Sequence, residues 1–185
     1  MKKACVLLAE GFEEVEALTP VDYLRRAGIE VTVLGLGGLK VAGAHGIVVS
    51  ADAILEGSPV GIVYDAVIVP GGLPGSKHLA ESRETRDLIE RHFEAGRVVA
   101  AICAAPALVL HEACGILAGR RFTGYPGTEV KVKGAFASSD RVVVDGNLIT
   151  SRAAGTAGEF SIAIIAALAG EAVARKIAES LLLKR

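Results

Sequence analysis

The sequence predicts an α/β fold, with a mostly parallel sheet that carries helices on both faces. Short runs rich in Val, Ile and Leu alternate with longer helical patterns, which is typical of parallel strands joined by crossover helices. The apolar runs are continuous, as in strands buried on both faces. Since 51% of the 185 residues are apolar, we expect residues 1–185 to form a single domain around one large core.

The first half of the chain is predicted to hold strands, helices and a small antiparallel hairpin. Gly28 and Gly96 mark helix ends, and Ser82 marks a helix start, because these residue types favour those positions. The turn Pro70-Gly71-Gly72 ends a strand. In order, the predicted elements are strand 3–9, helix 13–27, strand 30–35, hairpin strands 40–42 and 47–50, strand 64–69 and helix 83–95.

The second half is predicted to begin with a strand that runs directly into a helix. Asp145-Gly146 is a strong signal for a two-residue hairpin turn. Thr156 and Glu159 have the spacing of a capping box at a helix start. In order, the predicted elements are strand 97–102, helix 104–114, strands 121–124, 141–144 and 147–150, a helix reaching residue 169, and helix 171–182.

Charge and hydropathy argue against several classes of partner. The 20 basic and 21 acidic residues give a net charge of -1, and only 4% of the residues are aromatic, with no Trp. We therefore expect no nucleic-acid partner. The longest uncharged apolar run, residues 98–110, is shorter than the ~20 residues of a membrane helix. The apolar run after Lys3 is also too short for a secretory signal, so we expect a cytoplasmic protein with no membrane partner.

The three cysteines, Cys5, Cys103 and Cys114, cannot all pair within one chain, and free thiols are typical of a reducing compartment. Cys5 and Cys114 fall inside a predicted strand and a predicted helix, so we expect both to lie in the core. Cys103 lies at a junction between a strand and a helix. Packing alone does not require a thiol there.

The junction places Cys103 at the carboxyl edge of the predicted sheet, where open α/β folds keep their ligand sites. The arrangement is that of a nucleophile elbow. The helix N-terminus behind the thiol is expected to lower its pKa. The N–H of Ala104 could hold an oxyanion, with a second donor from Gly72 at the same sheet edge.

A carboxyl partner for Cys103 could come from Glu13, Glu14 or Glu16. All three lie at the start of the first predicted helix, and the residues alone leave the choice open, since acidic residues there also complement the helix dipole.

No histidine is well placed beside Cys103. His111 lies about 12 Å along the following helix, and the other three are expected on the surface, His92 on a helix and His45 and His78 in loops. A complete Cys-His-Asp triad is therefore not predicted.

Motifs for cofactors and metals are missing. Residues 35–40 place Lys40 where a dinucleotide-binding motif needs its last glycine. The sequence has no phosphate-binding loop and no residues at metal-ligand spacing. We expect neither a cofactor nor a metal.

Six segments of the sequence together form a recognisable pattern. They are Leu7-Leu8-Ala9-Glu10-Gly11-Phe12-Glu13-Glu14-Val15-Glu16, Pro20-Val21-Asp22, Arg25-Arg26-Ala27-Gly28, Val69-Pro70-Gly71-Gly72, Ala100-Ala101-Ile102-Cys103-Ala104-Ala105-Pro106 and Thr150-Ser151-Arg152. With these segments the chain resembles the ThiJ/PfpI superfamily, in the branch of the Parkinson disease deglycase-like protein and its bacterial relatives. The resemblance runs nearly end to end.

The resemblance implies a flavodoxin-like three-layer sandwich, a homodimer and a readily oxidised cysteine at Cys103. It selects Glu16 as a protonated partner of that cysteine, and Gly72 and Ala104 as backbone contacts. Gly71 and Tyr125 are expected to border the pocket. Two of the departures from the family pattern concern the site. Ala104 stands where the proteases and larger glyoxalases of the superfamily have histidine, and Tyr125-Pro126 replaces a His-Pro pair.

From these observations we expect a cysteine-dependent glyoxalase or deglycase that acts on small dicarbonyls such as methylglyoxal, or on their early adducts. The alternative is an oxidation-sensing stress protein or redox-regulated chaperone without significant turnover. A cysteine peptidase or amidase is less favoured because no suitable base accompanies the thiol.

Overall fold

The computed structural model describes residues 1–57 and 62–183. Its centre is a seven-stranded sheet in the order β10-β11-β7-β6-β1-β2-β5. The strands are β1 Lys3–Leu8, β2 Glu30–Gly35, β3 Lys40–Ala42, β4 Val48–Ser50, β5 Ala53–Ile54, β6 Ala66–Val69, β7 Val98–Ile102, β8 Arg121–Phe122, β9 Phe136–Ala137, β10 Val142–Asp145 and β11 Leu148–Ser151.

All neighbours in the large sheet pair in parallel except β10 and β11, which form an antiparallel hairpin. The separate hairpin of β3 and β4 is also antiparallel, as predicted. Since β1, β6 and β7 lie side by side and run in parallel, the segments that follow them meet at one edge of the sheet.

Helices cover both faces of the sheet. They are α1 Glu14–Arg26, α2 Gly75–Glu81, α3 Arg83–Glu94, Pro106–Ala113 (called the elbow helix below), α4 Ala157–Ala169 and α5 Glu171–Ser180. The side chains of β1 alternate between two clusters of buried residues. Leu8 packs with Leu24 and Phe160 on one face, and Leu7 packs with Ile89 and Leu110 on the other. The predicted flavodoxin-like three-layer architecture is confirmed.

The predicted helix start at Ser82 is confirmed. Ser82 caps α3, because its Oγ accepts a 3.1 Å hydrogen bond from the Thr85 N–H. The helix α1 runs through Pro20 without a break in its assigned span. In the part of the chain that the structure describes, no helix is both long and apolar enough to cross a membrane.

Other local predictions are wrong. Helix α2, which contains His78, was not predicted. The elbow helix begins at Pro106 rather than residue 104, and it is π-helical. Its backbone hydrogen bonds therefore join residues five apart rather than four apart as in an α-helix. The capping box is absent, because no side chain caps α4, and Glu159 instead pairs with Arg141 at 2.7 Å.

Candidate active site around Cys103

Cys103 follows β7 in a left-handed backbone conformation, with φ 66°. Among the described residues, Leu182 is the only other non-glycine residue with positive φ. The Cys103 N–H donates to the Ser151 carbonyl at 3.0 Å, and the Cys103 carbonyl accepts from the Tyr125 N–H at 2.8 Å. Both peptide groups are therefore held, which keeps a conformation that costs energy for residues with a Cβ. This is the geometry of a nucleophile elbow.

Glu16 is the carboxylate that lies beside the thiol. It is buried in the first turn of α1, and its Oε2 accepts a 2.9 Å hydrogen bond from the Gly71 N–H. A Cβ added to Gly71 would lie 2.5 Å from Glu16 Oε2 and 3.1 Å from Cys103 Sγ. Only glycine leaves room for the two side chains to meet there.

Glu14 points away from the thiol and anchors the loop between β3 and β4. Its carboxylate accepts from the His45 N–H at 2.7 Å and lies 2.8 Å from the His45 Nδ1. Although burial raises the pKa of Glu14, its hydrogen bonds with the His45 side chain and with backbone N–H groups outweigh burial and bring the pKa to about 2.

Glu13 lies 3.5 Å from the same His45 nitrogen. The ligand atoms of Glu13, Glu14 and His45 thus come within 4.8 Å of one another. The sequence analysis found no metal-ligand spacing because these residues belong to separate segments. Their mutual hydrogen bond and ion pairs account for the cluster.

Cys103 and Glu16 strongly affect each other's protonation. Burial is the main cause that raises the pKa of Glu16 to about 7, and the nearby charge of Glu13 adds to it. Hydrogen bonds from the Gly71 N–H, the Cys103 thiol and the Ala154 N–H oppose this rise. Burial, the charge of Glu16 and the hydrogen bond to Glu16 raise the pKa of Cys103 to about 12.

The predicted lowering of the Cys103 pKa is therefore wrong. The elbow helix begins only at Pro106, and the thiol is half-buried against an acidic side chain. These effects outweigh the backbone N–H groups that favour the thiolate. With a pKa raised to about 7, both the neutral and the charged form of the Glu16 carboxyl are populated near neutral pH.

Gly72 and Ala104 lie where the sequence analysis placed them. Their N–H groups face the Cys103 sulfur and lower its pKa. Gly72 has φ 90°, and a Cβ there would meet the backbone of the loop that precedes α1. Glycine at position 72 thus allows two loops to pack closely and aims one N–H at the sulfur.

Tyr125 contacts the elbow through its backbone N–H, and its side chain is 51% exposed. The structure thus brings Gly71, Gly72, Ala104 and Glu16 to Cys103, and it places Tyr125 beside the same elbow.

The four histidines are engaged elsewhere. His45 bonds to Glu14, His78 lies 3.1 Å from the Glu10 carbonyl, and the His111 ring accepts from the Lys133 N–H. His92 was expected on the surface but is buried, where it accepts from the Tyr64 N–H at 3.0 Å. It faces inward because α3 packs that side against the sheet.

The other two cysteines differ in burial. Cys5 is buried as expected, whereas Cys114 is half-buried at the end of the elbow helix. The core assignment of Cys114 is therefore wrong, because the helix ends before it and leaves it beside a surface cavity lined also by Glu90 and Arg120.

Two contributions to the site were missed. The Ser151 carbonyl holds Cys103, and the Ala154 N–H reaches Glu16. Both are backbone groups, whose direction follows from tertiary structure. Ser151 lies in one of the segments that carried the family resemblance, which was the available signal.

The chain is similar to known proteins over nearly its whole length. Residues 2–167 match the DJ-1/PfpI family. The chain is 40% identical to the Parkinson disease protein 7 homolog of Danio rerio, over 99% of this chain and 98% of that protein. It is 34% identical to the glutathione-independent glyoxalase DJR-1.2 of Caenorhabditis elegans, over 91% and 90% respectively.

Among solved structures, oxidized DJ-1 of Toxoplasma gondii matches with a TM-score of 0.95 and 33% identity, covering 100% of both chains. The chain belongs to the DJ-1/PfpI family.

Proposed function

We propose that this protein is a cysteine-dependent glyoxalase or deglycase that acts on small reactive dicarbonyls such as methylglyoxal, or on their early adducts. The observation that carries the proposal is the buried carboxyl of Glu16 beside Cys103, with a pKa of about 7. A general base works best when its pKa lies near the working pH. The C. elegans relative named a glyoxalase supports the same class of reaction.

In the first step, the Cys103 sulfur attacks the aldehyde carbon of methylglyoxal while Glu16 accepts the thiol proton. The product is a hemithioacetal whose oxygen carries the negative charge. The Gly72 and Ala104 N–H groups, which face the sulfur, would hold that oxygen. The transfer to Glu16 explains how a thiol with a raised pKa can act as a nucleophile.

In the following steps, Glu16 returns its proton to the oxyanion and then, as carboxylate, takes the proton on the former aldehyde carbon. Reprotonation at the neighbouring carbon gives a lactoyl thioester. Water releases lactate and restores the thiol. No electrons enter or leave the overall reaction.

The test is lactate formation from methylglyoxal by purified variants. Cys103→Ala should abolish turnover, and Glu16→Gln should lower it strongly while the fold is kept. Cys114→Ala is the matched control, because Cys114 is also half-buried but lies at the opposite end of the elbow helix from Cys103. Full turnover by Cys103→Ala would disprove the mechanism.

A second candidate function is an oxidation sensor or redox-regulated chaperone. The oxidized state of the T. gondii relative favours it, and the N–H groups of Gly72 and Ala104 could stabilise a sulfinate at Cys103. The raised pKa of the Cys103 thiol disfavours it, because oxidation follows thiolate character. Quantitative Cys103 sulfinate at mild peroxide, with no dicarbonyl turnover, would favour the sensor over the enzyme.

A peptidase or amidase needs a base beside the thiol. All four histidines lie within the described residues, and the contacts given above engage each of them away from Cys103. Casein cleavage that disappears in Cys103→Ser would revive this function.

We also propose that the protein forms a homodimer. Val15 and Leu18 of α1 and Ile47 beside β4 line one shallow groove and are between 36% and 54% exposed. A second copy of the chain would cover this apolar face.

A further inference from the structure

A histidine and two glutamates meet where the loop between β3 and β4 touches the start of α1. They are Glu13, Glu14 and His45, and their ligand atoms lie within 4.8 Å of one another. In residues 1–57 and 62–183, no other three His, Cys, Asp or Glu side chains come together in this way. An imidazole nitrogen with carboxylate oxygens is a set of ligands that zinc accepts in proteins.

The distances within this cluster are close to those around a bound metal ion. His45 Nδ1 lies 2.8 Å from Glu14 Oε2 and 3.5 Å from Glu13 Oε2. Around zinc, with metal–ligand distances of ~2.1 Å, neighbouring ligand atoms lie roughly 3–3.5 Å apart. The His45 side chain is 69% exposed, so it is free to adjust and an ion can reach it from solvent.

The imidazole proton serves only one of the two carboxylates. At 2.8 Å, His45 Nδ1 is within hydrogen-bond distance of Glu14, whereas the 3.5 Å to Glu13 exceeds the usual range of an N–H···O bond. Of the residues that the structure describes, only His45 pairs with the Glu13 carboxylate. Even with a charged imidazole, the three side chains keep one net negative charge, which a divalent cation would more than balance.

Glu14 is held in the orientation that a metal ligand needs. Its Oε1 accepts from the His45 N–H at 2.7 Å and from the Ile47 N–H at 3.4 Å, and the residue is 3% exposed. The other oxygen, Oε2, is thereby turned towards the imidazole. Groups that bind the far side of a ligand fix its orientation and strengthen metal binding.

We propose that Glu13, Glu14 and His45 bind one Zn²⁺ ion, which connects the loop between β3 and β4 to the start of α1. The ion replaces the proton on His45 Nδ1, and that proton leaves to solvent. The histidine nitrogen favours zinc over Mg²⁺ and Ca²⁺, which prefer oxygen ligands. Three protein ligands leave a further position for water. This proposal does not depend on the proposed function.

The test is titration of the purified protein with ZnCl2 in a calorimeter. Cys103 and Cys114 are replaced by alanine in every protein, because these half-buried thiols could also bind zinc. This parent protein should bind one zinc ion per chain. His45→Gln can still form a hydrogen bond with Glu14 but lacks the imidazole, and it should bind zinc at least about tenfold more weakly.

Glu13→Gln is the second variant. It removes the carboxylate that has no hydrogen bond from the imidazole, so it should weaken zinc binding while the contacts between Glu14 and the loop remain. It decides the question if His45→Gln fails to fold. The matched control is His78→Gln, which removes another partly exposed imidazole and should keep the affinity of the parent protein.

Thermal unfolding gives a second measurement. The Tm of the parent protein should rise with the concentration of ZnCl2, because the ion binds only the folded site, and the Tm of His45→Gln should not. MgCl2 at the same concentrations should leave the Tm unchanged.

A parent protein that binds no zinc would overturn the proposal, and so would folded His45→Gln with the affinity of the parent. An equal rise in Tm with MgCl2 would also overturn it, because it would show only attraction of cations to acidic residues. If the wild-type protein does not convert methylglyoxal, the proposed function fails, and the zinc titrations still decide this site.

Discussion

The N–H of Gly71 donates to the buried carboxylate of Glu16 at 2.9 Å, and the α-carbon of Gly71 faces the space in which Glu16 and Cys103 meet. A methyl group at this point would occupy the place where the thiol proton must pass to the carboxylate.

Gly71→Ala should therefore separate the two side chains. We expect kcat/KM for methylglyoxal to fall by more than about tenfold, because small displacements of reacting groups are costly, and the free energy of unfolding to fall by about 1–3 kcal/mol. Turnover assays and urea denaturation measure the two effects. Gly38→Ala is the control, since its Cβ would meet nothing within 4 Å. Unchanged turnover in Gly71→Ala would contradict the close pairing of Glu16 and Cys103.

Turnover should depend on pH through Glu16. Its pKa of about 7 means that the carboxyl is neutral below this pH and cannot accept the thiol proton. We expect kcat/KM to rise with pH through about 7 and to fall tenfold per unit well below it. Glu16→Gln should lack this limb. A profile that is flat between pH 5 and pH 8 would argue against Glu16 as the base.

The free energy of unfolding should depend on pH through His92. Its Nε2 accepts from the Tyr64 N–H and its Nδ1 lies 2.7 Å from the Leu88 carbonyl, so the buried ring is neutral. Burial lowers its pKa below the ordinary value of 6.5. The unfolded chain then binds more protons, and the contribution to stability is present above pH 6.5 and is lost as the pH falls below it.

Urea denaturation at pH 7.5 and pH 5.5 would measure this effect. The difference in unfolding free energy between the two pH values should be smaller in His92→Gln than in wild type. His78→Gln, which alters a partly exposed ring, should keep the wild-type difference. An equal difference in His92→Gln would mean that His92 does not titrate on unfolding.

The proposed dimer can be tested by sedimentation. The wild-type protein should have twice the mass of the 19.0 kDa chain, and Ile47→Asp should shift it to the monomer, because a charge in a buried interface is costly. Val130→Asp is the control, since Val130 is 76% exposed on a different segment. A monomeric wild-type protein would refute the dimer.

Much of the fold could be predicted from the sequence, because local chemistry determines it. The continuous apolar runs around Val6 and Val67 fit strands buried on both faces. Ser82 and Gly96 mark the ends of α3, and the position of Cys103 between a strand and a helix predicts the elbow.

Protonation and long-range contacts could not be predicted in the same way. The pKa of Cys103 depends on burial and on Glu16, which is distant in sequence, and these outweigh the local helix that the sequence displays. The charged neighbours of His45 and the burial of His92 likewise depend on which elements pack together. Thr156 has the sequence of a helix cap, but its hydroxyl contacts Ser151 and the backbone of residues 152–153 instead.

The left-handed backbone at Cys103 has a cost that any side chain must bear. Glycine adopts φ 66° without strain, so Cys103→Gly should unfold at a higher temperature than Cys103→Ala. A protein released from its chemical task would gain stability by replacing the whole side chain of Cys103 with a hydrogen atom. A thiol at position 103 therefore makes the folded chain less stable than glycine would at the same backbone conformation.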